Sequence, residues 1–148
     1  AFPYVFQAQY DEYCRLFGRE PVKIDGHDHM HLCMNMIAGG VIPPGKRVRR
    51  NLTFRQGQRS FVNRFYRRLV DAWLVRRYVC SDAFFAIDPV WDLPRQEKIV
   101  RLALSRNVEL MVHPGLREEC DHLLSPAYEA LIQRIPLGTY SRLPKASN

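Results

Sequence analysis

The chain has 148 residues, 47% of them hydrophobic, and a formal net charge of +7. That suffices for the core of a single domain. No apolar run approaches the ~18 residues that a membrane-crossing helix needs, and Ala1-Phe2-Pro3-Tyr4 lacks the order of a secretion signal, so no membrane partner is expected and a cytoplasmic location is the expectation.

In chain order, Phe6, Tyr10, Tyr13, Cys14 and Phe17 are spaced for one face of a helix that stops at Gly18. An apolar start marks Val22 to Asp25 as a strand, and Lys23-Ile24-Asp25-Gly26-His27-Asp28-His29-Met30-His31 holds three of the five histidines within five residues. Side chains on a strand alternate, so Asp25, His27, His29 and His31 are expected on one side. Imidazoles beside a carboxylate suit zinc or another divalent ion, although one strand seldom supplies a whole coordination sphere.

Leu32 to Ala38 reads as a short apolar turn or helix, closed by Gly39-Gly40 and Pro43-Pro44-Gly45, and a strand is expected over Arg47 to Thr53. Charge is concentrated here. Lys46 to Arg77 holds eleven Lys/Arg and one acid, Asp71, while the remainder is slightly acidic. Such a segment could be a phosphate or nucleic-acid footprint, but no nucleic-acid-binding signature accompanies it, and nucleic acid is not the expected partner. Within it lies the clearest helix, with Phe61, Phe65, Leu69 and Trp73 as one ridge, Val62, Tyr66, Val70 and Leu74 as the next, and Arg64, Arg67, Arg68 and Asp71 opposite. Both apolar ridges are expected to pack into the core.

Asp82 to Ile87 is a short buried strand, and Asp92-Leu93-Pro94 starts a helix through Ile99, Val100, Ala103 and Leu104. Val108 to Val112 is another strand, whose C-terminal end presents His113 in His113-Pro114-Gly115. Leu116 to Leu124 and Ala127 to Arg134 are helical, divided at Ser125-Pro126, and Leu137 to Leu143 is a possible last strand. Cys14, Cys33, Cys80 and Cys120 are widely spaced, which favours buried thiols over a metal knuckle or redox pair. Alternating strands and helices argue for an α/β fold with a mostly parallel sheet, as a partial barrel or a compact open sheet. In such folds ligands gather at the carboxyl ends of strands, where His27 and His113 both fall.

The residues carry a resemblance. Phe17-Gly18 before Glu20-Pro21, the Asp25-x-His27-x-His29-x-His31 core, His113-Pro114-Gly115 and Leu137-Gly138-Thr139-Tyr140 are together similar to the C-terminal part of the YdjC-like carbohydrate deacetylase family, which includes chitooligosaccharide deacetylases. The resemblance implies a metal-dependent hydrolase that removes acetyl groups from N-acetylated sugars on a distorted (β/α) barrel. The family's metal ligand at the first histidine of the motif maps onto His27, while the other family ligands and the neighbouring Asp that acts as base have no counterpart in this sequence. Residues 1–148 are therefore expected to be a single α/β domain forming the C-terminal part of a longer deacetylase domain, inactive on sugars alone.

Amide hydrolysis needs an activated water, a group that polarises the carbonyl and an acid for the departing amine. The candidate metal ligands are His27, His29 and His31, holding Zn or Mg. His113 is the candidate acid, Asp25 is to orient a histidine or take part directly, and Arg49 or Arg50 is to hold an anionic or sugar oxygen. The expected partners are an acetylated oligosaccharide and a second copy of the chain, which would cover apolar strands left at an open edge. The alternative from another class is a non-catalytic phosphate or nucleic-acid-binding module using residues 46–77.

Overall fold

The computed structural model describes residues 2–53 and 60–143. It mixes helix and strand, with the helices predominating, and forms two compact units. One unit takes residues 2–51, 62–80 and 140–143, the other residues 52–53, 60–61 and 81–139. No helix among the described residues is long and apolar enough to cross a membrane.

The first unit begins with α1, Phe2–Phe17. It stops where the spacing predicts: Gly18 adopts φ 63° and its N–H bonds the Cys14 carbonyl at 2.9 Å, a left-handed cap that costs a glycine least. The expected strand over Val22 to Asp25 contracts to a single parallel bridge, Ile24 to Val48, flanked by Pro21 and by Gly26 leading into a tight turn. The Ile24 N–H bonds the Arg47 carbonyl at 2.8 Å, and the Arg49 N–H bonds back to Ile24 at 3.3 Å. Arg47 to Thr53 likewise gives bridges rather than a strand, with Val48 N–H on the Val79 carbonyl at 3.0 Å. A 3₁₀ turn, His27–Leu32, and a short helix α2, Met34–Ala38, follow the first bridge. Leu32, Met36, Ile42, Val48, Leu74 and Tyr78 form the buried core, with the Tyr78 hydroxyl donating to the Ile42 carbonyl at 2.9 Å.

Helix α3, Phe61–Arg77, occupies its expected span but not its expected rotation. Of the two apolar ridges only Val70, Trp73 and Leu74 reach the core, while Phe61, Val62, Phe65, Tyr66 and Leu69 are exposed. The cause lies on the polar side. Asp71 accepts from Arg50 Nη2 at 3.0 Å and from the backbone and side-chain nitrogens of buried Asn51 at 3.2 and 2.9 Å. Arg67 adds a bond to Asn51 at 3.3 Å and one to Asn63 at 3.0 Å. A buried amide must be hydrogen-bonded, and satisfying Asn51 turns Arg67 and Asp71 of α3 inward. Leu137 to Leu143, the possible last strand, instead ends in a 3₁₀ turn, Tyr140–Arg142, after Pro136 and Gly138 interrupt the extended run.

The second unit is a parallel β-α-β crossover. Strand β1, Ala83–Ala86, pairs with β2, Val108–Met111, in the register Ala83 to Val108 and Ala86 to Met111, giving an open two-stranded sheet among the described residues. Between them runs α4, Leu93–Ala103, capped by Asp92, whose side chain accepts the Arg95 N–H at 3.1 Å, with Pro94 in its first turn. Phe84, Ile87, Ile99 and Val100 are buried. Helices α5, Arg117–Leu123, and α6, Pro126–Ile132, are separated at Ser125, which caps α6 by accepting from the Tyr128 N–H. Arg134 grips Glu97 of α4 with two bonds of 2.7 and 2.8 Å, and these hold the Glu97 carboxyl down at about 2.

Candidate functional site

Two groups of residues from the sequence reading are placed by the structure, one in each unit. In the first unit, the backbone of residues 27–32 forms a 3₁₀ turn rather than continuing a strand. The expectation that Asp25, His27, His29 and His31 line one side of a strand is thereby corrected: Gly26 ends the extended run and the chain coils. The side chains of His27, Asp28 and His29 lie outside the described residues.

His31 is 4% exposed, and both its ring nitrogens meet backbone groups. Nδ1 accepts the Gly26 N–H at 2.9 Å, and Nε2 donates to the Arg49 carbonyl at 2.8 Å. Only the neutral ring protonated at Nε2 makes both bonds. Burial pushes its pKa below the ordinary histidine value, outweighing the Arg49 carbonyl and the Asp25 charge, which pull the other way. A ligand nitrogen must be free to face the ion, so His31 is a structural residue here rather than a metal ligand.

Arg49 is corrected in the same way. Its Nη2 donates to the Gly26 carbonyl at 3.0 Å and its Nε lies 2.9 Å from Asp25 Oδ1, with the side chain 10% exposed. Lys23 Nζ stands 3.2 Å from the other Asp25 oxygen. Arg49 thus braces the turn instead of reaching toward a substrate, and Asp25 is bonded to cations rather than to a histidine. Arg50, the other candidate, is paired with Asp71. Gly26 is where the chain passes closest: a Cβ there would meet the His31 backbone nitrogen at 2.6 Å. Among the described residues no group of three or more His, Cys, Asp or Glu is placed to hold a metal ion. His31 and Asp25 do not fit a divalent ion.

In the second unit, β2 delivers His113 just past its carboxyl end. Its imidazole is 48% exposed, and Nδ1 stands 3.1 Å from Oε1 of Glu119, itself only 4% exposed. The other oxygen of the same carboxylate accepts the His113 backbone N–H at 2.5 Å. A carboxylate oxygen accepts, so Nδ1 is the donor in this contact, which orients the ring and directs Nε2 away from Glu119. Glu119 was not singled out from the sequence. The available signal was a carboxylate in the first turn of α5, six residues after a histidine at a strand end, where helix geometry favours an acid. His122 is structural: its Nε2 donates to the side chain of buried Gln96 at 2.9 Å, and its ring meets Tyr128 edge-on.

No family model, no curated protein and no solved structure matches this chain.

Proposed function

We propose that the protein is a hydrolase of the carbohydrate deacetylase type, acting on an acetylated oligosaccharide in the cytoplasm, with His113 as its proton-transfer residue. The observation that carries this reading is the Glu119 and His113 pair at the carboxyl end of a parallel strand. In amide hydrolysis water adds to the acetyl carbon, the C–N bond breaks and the departing nitrogen takes a proton. His113 Nε2 delivers that proton, while the buried carboxylate on Nδ1 holds the ring in place and offsets its positive charge.

The resemblance to the deacetylase family adds a distorted barrel and a divalent zinc or magnesium ion to the proposal. No step is routed through the ion, because His31 and Asp25 have other partners; the metal assignment rests on His27 and His29. A homodimer belongs to the same proposal, supported by the exposed apolar ridge of α3, and light scattering checks it. The phosphate or nucleic-acid alternative gains less support, since Arg49, Arg50 and Arg67 of its basic segment bond within the protein.

The test is acetate release from an N-acetylated chitooligosaccharide by the full-length protein. His113→Ala is expected to lower the rate by on the order of 10²-fold or more, with the fold retained because the side chain is half exposed. Unchanged turnover removes His113 from the chemistry.

A further inference from the structure

The geometry points to Trp91 as a stacking platform for a pyranose ring of the substrate, an assignment that rests on the deacetylase reading. Strands β1 and β2 are parallel neighbours, so the loop that follows β1 and the loop that carries His113 leave the same end of the sheet. The pairing extends to the first residue of that loop, where the Ile87 N–H bonds the Met111 carbonyl at 3.0 Å. Trp91 lies on the β1 loop and is 71% exposed.

The loop is held firmly on both sides of the indole. Arg95 reaches back to the carbonyls of Ala86, Ile87 and Asp88 at 2.6, 3.3 and 2.9 Å. Gln96, 4% exposed, donates to the Val90 carbonyl at 2.7 Å and is itself fixed by His122. Asp92 N–H bonds the Pro89 carbonyl at 3.2 Å, and Leu93 N–H bonds the carbonyl of Trp91 itself at 3.0 Å. The backbone that carries the exposed indole is fixed by these bonds, so a ligand that covers the ring orders little further backbone on binding.

The chemistry suits a sugar. The face of an indole is electron-rich, and one face of a pyranose presents C–H hydrogens of partial positive charge, so the two stack with burial of apolar area and without desolvating a charge. On a loop at the same sheet end as His113, such a contact would orient one ring of an oligosaccharide with its acetamide toward that residue.

Calorimetric titration of the full-length protein with N-acetylchitotetraose tests this without relying on turnover. Trp91→Ala is expected to bind about tenfold more weakly or worse, and Trp91→Tyr to keep most of the affinity. Circular dichroism confirms that the exposed substitution leaves the fold intact. Equal binding by Trp91→Ala, or no binding by wild type, overturns the platform. Binding that depends on Trp91 with no acetate released by wild type would refute the deacetylase reading and leave the platform standing.

Discussion

His31→Ala tests whether the histidine-rich turn is held together by backbone bonds to one imidazole. The substitution removes the acceptor for the Gly26 N–H and the donor for the Arg49 carbonyl, and leaves a hole beside Leu32 in a region where His31 is 4% exposed. Arg49 is buried, so its carbonyl loses its partner out of water's reach; Gly26 is half-buried and recovers part of its loss. With 1–3 kcal/mol for a buried polar group left unpaired, and some lost packing, the sum is about 3 kcal/mol. Urea unfolding followed by circular dichroism reads it as a lower midpoint at unchanged slope. The pH dependence is sharper. An unfolded histidine takes up a proton near its ordinary value of 6.5, whereas the folded His31 does so only at lower pH. Unfolding therefore binds a proton in that window, and the contribution of His31 is present in full above it and lost as pH falls. The stability gap between wild type and His31→Ala should narrow on acidification below about pH 6.5. A gap that stays constant, or widens on acidification as it would for a protonated His31 paired with Asp25, refutes the neutral doubly bonded ring.

Gly26→Ala should cost about 2 kcal/mol in the same assay, because its Cβ would meet the backbone nitrogen of His31, which cannot swing away as a side-chain tip could; a loss under half of that would mean the turn relaxes freely. Asp92→Ala removes the side-chain cap from the Arg95 N–H and should lower stability by about 1 kcal/mol, read as a thermal midpoint shift of several degrees. An unshifted midpoint would show that Pro94 starts α4 without help. His27→Ala should lower the metal content of the full-length protein by elemental analysis while His122→Ala, bonded to Gln96, leaves it unchanged. Equal loss in both, or none in the first, ends the assignment of His27.

Local signals decided the helices and the two strands. The aromatic spacing of α1 and the glycine after it, the Asp92 cap with Pro94, the Ser125-Pro126 junction and the apolar runs at Asp82 to Ile87 and Val108 to Val112 all act within a few residues, so the sequence determines them directly. The placement of His113 at a strand end follows from the same logic. Tertiary structure alone decided three things that depend on distant partners. The rotation of α3 was set by Asn51 and Asp71, twenty residues apart, whose need for hydrogen bonds outweighed the burial of Phe61, Phe65 and Leu69. The role of His31 was set by the Arg49 carbonyl, which a strand reading of residues 25–31 had no means to bring near it. The partner of His113 was set by where α5 starts after the turn, which brings Glu119 back to the ring's Nδ1. Periodicity records which face of an element is apolar; a hydrogen-bonding group buried from elsewhere in the chain decides which face the element turns inward.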